Sequence, residues 1–237
     1  MHRMRIFVFL FPVILFLLFL YIKIELPQTY ASIIQEDSLV ENAQVVFYLI
    51  SAGLSFFVSM KFLKNKMTLH GILYFVLAVG LLFTALEEIS WGQRIFNIET
   101  PVYFKRHNFQ KELSLHNLYA VQPMLHNLYI IIGAYGAFAW IFTYPFFSGT
   151  KTNDQSIVNY VVPDWYISSY FFFTFFIYGI FEYMRPLLSK GFLLWRDQEP
   201  AELLLSLGFL SFLINNYVRL QECLKSRSKK RGKRVRR

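Results

Sequence analysis

Two adjacent carboxylates, Glu87 and Glu88, close the apolar run GILYFVLAVGLLFTAL and open the stretch EEISWGQRIF. At that place they face the negative end of a helix dipole and the edge of hydrocarbon, and both disfavour charge. Something must compensate them: Arg94, a bound metal ion, or protonation. Any of these would suit a reactive site in which Glu87 and Glu88 act as general bases or ligands. The plainer alternative is an Arg94–glutamate ion pair that fixes the helix end. Gly92 suits the position just past a helix C-terminus, so the helix is expected to stop near Trp91 with both glutamates in its last turn. Neighbouring residues point about 100° apart on a helix, so one carboxylate is expected to face the bundle and the other the headgroups.

Downstream, NFQKELSLHNLY supplies Asn108, Gln110, Glu112, His116 and Asn117, and LHNLY recurs at 125–129 with His126. Ten residues of unbroken helix would hold His116 and His126 about 15 Å apart, too far to share a metal; a break at Pro123 would let them approach. Glu112 and His116 are spaced i, i+4 and would share one face of a helix. Glu88, Glu112, His116 and His126 together form a hypothetical donor set for a divalent metal such as zinc, with His116 as ligand or acid. A lone interfacial histidine is more commonly a hydrogen-bonded structural residue. Gln93, Arg94, Gln110 and Asn117 are the substrate-binding candidates. Arg94 would hold an anion, assisted by Lys105, Arg106, His107 and Lys111, which fit a phosphate or lipid headgroup. Ordinary headgroup contact also accounts for these cations. A third group, Asp197, Glu199 and Glu202 in RDQEPAE, lies where acids stabilise a helix start, with Pro200 in the first turn. Glu199 and Glu202 are secondary site candidates, Glu202 being the one expected to point inward.

The elements that must position these residues are membrane helices. Of 237 residues, 55% are hydrophobic, 19% aromatic and 16% charged, whereas a soluble domain carries about 25% charged residues. Apolar runs over 6–22, 42–62, 69–88, 123–147, 165–183 and 200–219 each approach the ~20 residues that cross a bilayer core. The fold expected is an all-α integral membrane bundle of about six transmembrane helices. It would form one domain over 1–223, followed by a disordered basic tail over 224–237. The first run is long for a signal peptide and lacks a nearby A-x-A-like site, which favours an uncleaved anchor.

The net charge of +9 is local, because 225–237 holds nine basic residues and no acid. It is therefore no sign of a nucleic-acid-binding domain. The tail reads as a topology anchor attracted to anionic inner-leaflet lipids; docking of an acidic partner or RNA is the sharper alternative. With N- and C-termini inside, the cytoplasmic side carries twice as many lysines and arginines as the outer side, the bias expected of a plasma membrane protein. The three polar groups then share the extracytoplasmic boundary.

The motif E-E-x-S-W-G-Q-R at 87–94, followed by N-x-Q-x-E at 108–112 and L-H-N at 115–117, resembles a family of uncharacterised bacterial multi-pass membrane proteins. The resemblance implies a shared site and a bacterial inner membrane, and names no substrate. A looser similarity is to seven-span hydrolases of the alkaline ceramidase type, which hold zinc with histidines. This chain departs from them in lacking an H-x-x-x-H pair and in having six apolar runs.

There is no P-loop, dinucleotide fingerprint or G-x-S-x-G elbow. The single cysteine, Cys223, lies away from the polar groups and rules out an intramolecular disulfide. Three functions remain in competition. One is an enzyme acting on a lipid or lipid-linked substrate through metal-activated water or glutamate acid–base chemistry. Another is a transporter using intramembrane glutamates. The third is a partner in assembling another membrane protein.

Overall fold

The computed structural model describes residues 2–35, 38–93, 95–147, 156–184 and 195–235. Among these residues six helices are long and apolar enough to cross a membrane, as the apolar runs require. Helix α1 spans His2–Glu25, and a short α2, Pro27–Ile33, turns off its end. Helices α3, Leu39–Lys64, and α4, Thr68–Glu88, form a hairpin. A one-turn 3-10 segment, Ser90–Gly92, and α5, Val102–His107, lead through an irregular loop to α6, Gln122–Phe147. Next come α7, Val158–Val161, and α8, Ser168–Gly179, which runs on into a π turn, Ile180–Met184. A 3-10 turn, Trp195–Gln198, precedes α9, Glu199–Val235. Among the described residues the only extended pairing is an isolated bridge between Asn108 and Leu118.

Helix α9 is the central post. Leu204, Leu205, Leu213 and Leu220 are buried along it, and it packs on α3 and α8. It does not end near Arg219. It continues helically through the basic segment to Val235, where a disordered tail was expected. Lysine and arginine are good helix formers, and neither proline nor a run of glycines interrupts that stretch.

Helix contacts that lack a hydrophobic driving force within lipid are supplied by small residues and hydroxyls. Ser55 and Ser59 of α3 donate to the carbonyls of Tyr74 (2.8 Å) and Gly71 (2.7 Å) on α4. Thr174 of α8 donates to the carbonyl of Ala201 on α9 at 3.1 Å. At Gly133, α6 comes so close to α8 that a β-carbon would fall 2.5 Å from the backbone nitrogen of Phe175. Large apolar side chains such as Ile72, Val76, Val79, Ile131 and Phe142 face outward, as lipid contact allows.

The helix ends sort into two groups. One end of the bundle holds the start of α1, the α3–α4 turn and the Asp164–Arg219 ion pair (2.6 Å). There Asn215 donates to Asp164 at 2.7 Å, and Arg5 lies 5.3 Å from the Tyr166 ring centre. The opposite end gathers the end of α4, the loop before α6, and the start of α9. At that end Lys23 pairs with Asp197, which also accepts the Tyr30 hydroxyl at 2.9 Å.

Candidate functional site

Helix α4 ends at Glu88, and Ser90, Trp91 and Gly92 then take positive φ values of 47°, 55° and 74°. This left-handed run reverses the chain over the helix end. Gly92 tolerates the conformation freely, whereas the two preceding residues adopt it at a cost. Trp91 Nε1 thereby reaches back to donate to Glu87 Oε1 at 2.5 Å.

Glu87, 3% exposed, acts as a clamp. Its Oε2 accepts the backbone N–H groups of Leu115 (2.6 Å) and His116 (2.9 Å) and lies 3.2 Å from His116 Nδ1. Gln93 does the same work one step along, accepting from Leu113 N at 2.6 Å and donating to Thr100 Oγ1 at 2.5 Å. Asn108, fully buried, closes the loop by donating to the Ser114 carbonyl (2.7 Å) and accepting from Gln110 N (2.8 Å). The segment holding Glu112 and His116 is thus pinned as irregular backbone and not as a helix, so these two residues do not share a helical face. Side-chain acceptors from Glu87, Gln93 and Asn108 compete successfully with helical bonding there.

What the clamp positions is a small polar cavity of about 60 Å³. Glu88 of α4 lines it together with Gln110, His116 and Asn117 of the loop. Helix α6 contributes Gln122, His126 and Tyr129, spaced along one face, and α8 contributes Tyr178. Glu199 and Glu202 come from α9, Arg196 and Gln198 from the turn before it, and Glu41 from α3. The three sequence-distant polar groups therefore converge. Glu87 and Glu88 both serve this interior: one grips the loop and the other lines the cavity, in place of the expected split between bundle and headgroups.

Among the described lining residues the cavity holds four carboxyl groups against a single guanidinium. Gln44 Nε2 donates to Glu199 Oε2 at 3.0 Å, and the Tyr178 hydroxyl donates to Glu202. Gln110 accepts from the Asn117 amide. Tyr129 and Tyr178 stack at 4.5 Å, backing the glutamates with aromatic surface. Two carboxylate–imidazole pairs flank the cavity: Glu87 with His116, and Glu182 with His126, whose Nδ1 lies 3.2 Å from Glu182 Oε2. A carboxylate on Nδ1 fixes the tautomer and leaves Nε2 as the nitrogen that takes or gives a proton.

Among the four hypothetical metal donors, Glu88, His116 and His126 line the cavity, while Glu112 instead accepts the Ser90 hydroxyl. Among the described residues no group of three or more His, Cys, Asp or Glu is disposed to hold a metal ion. Arg94, the expected anion holder, lies outside the described residues. Asp197, read from sequence as a helix-start acid, binds Lys23 and Tyr30 outside the cavity.

Sequence reasoning missed Glu41, Tyr129, Tyr178, Arg196 and Gln198. A usable signal existed for Tyr129, which follows His126 at i+3 in the repeated LHNLY. None existed for Glu41, whose place at the start of α3 reads as an ordinary helix-start acid.

Compared with known proteins, the chain matches no family model, no curated protein and no solved structure.

Proposed function

We propose that this protein is a membrane-embedded enzyme whose cavity performs acid–base chemistry on the headgroup of a lipid or lipid-linked substrate. The observation that carries this reading is the pairing of two carboxylate-held histidines with four glutamates around one cavity at the end of the bundle. In a hydrolase or transferase step, Glu88 or His116 Nε2 takes the proton of water or an acceptor hydroxyl as its oxygen bonds to the electrophilic centre. A neighbouring carboxyl of the cluster returns a proton to the departing oxygen. Glu87 acts through His116 and the loop, as a positioning residue. A transporter would need a polar route onward, but the layer beneath the cavity is built from Phe171, Phe209 and Phe212.

In our reading both termini are cytoplasmic, the cavity faces the extracytoplasmic leaflet of a bacterial inner membrane, and the basic end of α9 lies against anionic inner-leaflet lipids. The charge bias supports this orientation.

The test is headgroup release or transfer from mixed micelles of bacterial-type phospholipids, followed by mass spectrometry. Wild-type turnover that falls about 100-fold or more in Glu88→Gln and His116→Ala supports the reading. Turnover of none of these lipids, or equal turnover by the variants, removes it in favour of a non-catalytic role in transport or membrane assembly.

A further inference from the structure

A second cavity, of about 230 Å³, lies deeper in the bundle and is almost wholly apolar. Helices α4, α6, α8 and α9 line both cavities, and Tyr160 and Val161 of α7 with Pro163 close the apolar one at its far end. Helix α4 contributes Leu73 and Leu77, α6 Ile132, Tyr135 and Gly136, α8 Phe171, and α9 Phe209 and Phe212. In the polar cavity the same helices contribute Glu88, His126 and Tyr129, Tyr178, and Glu202. Ile132 follows Tyr129 by about 4.5 Å along α6, and Phe209 and Phe171 lie about 10 Å below Glu202 and Tyr178. By helix register the apolar space lies beneath the polar one, with Leu77 about 16 Å along α4 from Glu88. Both border the cleft between α4 and α6, helices whose main packing is on α3 and α8 respectively. Leu73 and Tyr135, one on each wall, are exposed at its lipid-facing side.

The polar end has its own preference. Among the described lining residues four carboxyl groups face one guanidinium, so the fitting group is a cation rich in N–H donors, whose charge favours the ionised, hydrogen-bond-accepting form of the carboxyls around it. A primary ammonium supplies three donors, whereas a trimethylammonium supplies none and leaves buried acceptors unpaired. The cavity also holds a donor awaiting an acceptor. Gln198 is 8% exposed and lines it, and its buried Nε2 has no hydrogen-bond partner among the described residues. An ester, phosphate or hydroxyl oxygen beside the amine would satisfy it.

We infer that the cleft binds a lipid bearing a primary amine headgroup, the ammonium among Glu41, Glu88, Glu199 and Glu202 and an acyl chain in the apolar slot between α4 and α6. This rests on the proposed reading of the cavity as a headgroup site, and it names the class of substrate. The chain slot explains why a small polar cavity would be placed at the mouth of an apolar one. The excess of carboxylates explains the selection of amine over choline-type heads.

Binding and turnover are best measured separately. Detergent-solubilised full-length protein would be titrated with short-chain phosphatidylethanolamine and with phosphatidylcholine of identical chains, following thermal stabilisation. The expected result is at least a tenfold preference for the ethanolamine lipid. That preference should fall to within twofold in Glu88→Gln, and affinity for both lipids should fall in Leu77→Trp, which fills the slot. Equal wild-type affinity for the two lipids would overturn the amine assignment. Phosphoethanolamine without chains competing as well as the whole lipid would overturn the slot. Selective binding without any headgroup cleavage or transfer would leave this inference standing and remove the enzymatic reading; turnover without selectivity would do the reverse.

Discussion

Glu87 holds His116 at two points, its Oε2 accepting the backbone N–H at 2.9 Å and lying 3.2 Å from the ring Nδ1. Backbone and side chain of one loop residue are thereby fixed by a single carboxylate at the end of α4. In Glu87→Gln one oxygen becomes an amide N–H donor that must face other donors. Hydrogen bonds to charged groups contribute about 1.5–3 kcal/mol each, and a buried orphan costs a similar amount. Glu87→Gln is expected to lower stability by about 2 kcal/mol. It should also free the 113–117 loop, to be read as faster amide exchange there than in wild type. A variant with wild-type stability and exchange would deny Glu87 its clamping role.

Its neighbour should behave in the opposite way. Glu88 lines a cavity with three other glutamates, and among the described residues no group hydrogen-bonds it. Such like-charge crowding is maintained for function at the expense of stability. Glu88→Gln is therefore expected to unfold at the same temperature as wild type or higher, while losing its preference for the amine lipid. A clear drop in unfolding temperature in detergent would show that Glu88 is structural.

This contrast was not legible in the EE dipeptide. The sequence made the convergence readable: charge bias and span count alone place Glu88, His116, His126, Glu199 and Glu202 at one end of the bundle. It could not divide the labour between Glu87 and Glu88, because that depends on the irregular 109–121 loop, whose path is set by Asn108 and Gln93 and not by any periodicity. Nor could it pair Lys23 with Asp197 or Glu182 with His126. Those contacts depend on which helices are neighbours, and six interchangeable apolar runs do not encode that. The aromatic backing by Tyr129 and Tyr178 was hidden for a similar reason, since tyrosines are common at membrane interfaces.

Alkaline pH should reach the bundle through Tyr30. Burial first, and then the adjacent Asp197 carboxylate, hold its phenol well above the ordinary range. A raised folded-state pKa means the stabilisation is complete below the unfolded value of about 10 and is lost as pH rises above it. Wild-type stability should fall by up to about 1.4 kcal/mol per pH unit above pH ~10. Tyr30→Phe should start lower, having lost the 2.9 Å hydrogen bond to Asp197, and should show a flatter profile. Parallel profiles for the two proteins would remove Tyr30 from the pH response.

Two glycines in apolar helices make opposite predictions. A β-carbon at Gly133 would meet the Phe175 backbone at 2.5 Å, and backbone cannot swing aside as a side chain can. Gly133→Ala should separate α6 from α8 and destabilise by about 1–3 kcal/mol. At Gly53 of α3 nothing lies within 4 Å of the added carbon. Gly53→Ala should be neutral, or stabilising by up to about 1 kcal/mol from helix propensity. Equal effects at both positions, in the same unfolding assay, would mean that the α6–α8 contact is not close-packed in the membrane.

The orientation can be tested with single cysteines, because the one native thiol is easily removed. Cys223 is buried on α9, and Cys223→Ser supplies a background without reactive sulfur. Tyr103, on α5 at the cavity end, is exposed, and Lys64, at the opposite end where α3 stops, is exposed as well. With the cavity extracytoplasmic, a membrane-impermeant maleimide added to intact spheroplasts should label Tyr103→Cys at once and Lys64→Cys only after permeabilisation. Those two positions differ in helix end and not in accessibility, so the comparison reads topology alone. The reverse pattern would put Glu88 and its neighbours on the cytoplasmic leaflet. The headgroup chemistry proposed for them would then have to draw on cytoplasmic substrates, and the basic end of α9 would lie outside, against the positive-inside bias that motivated the assignment.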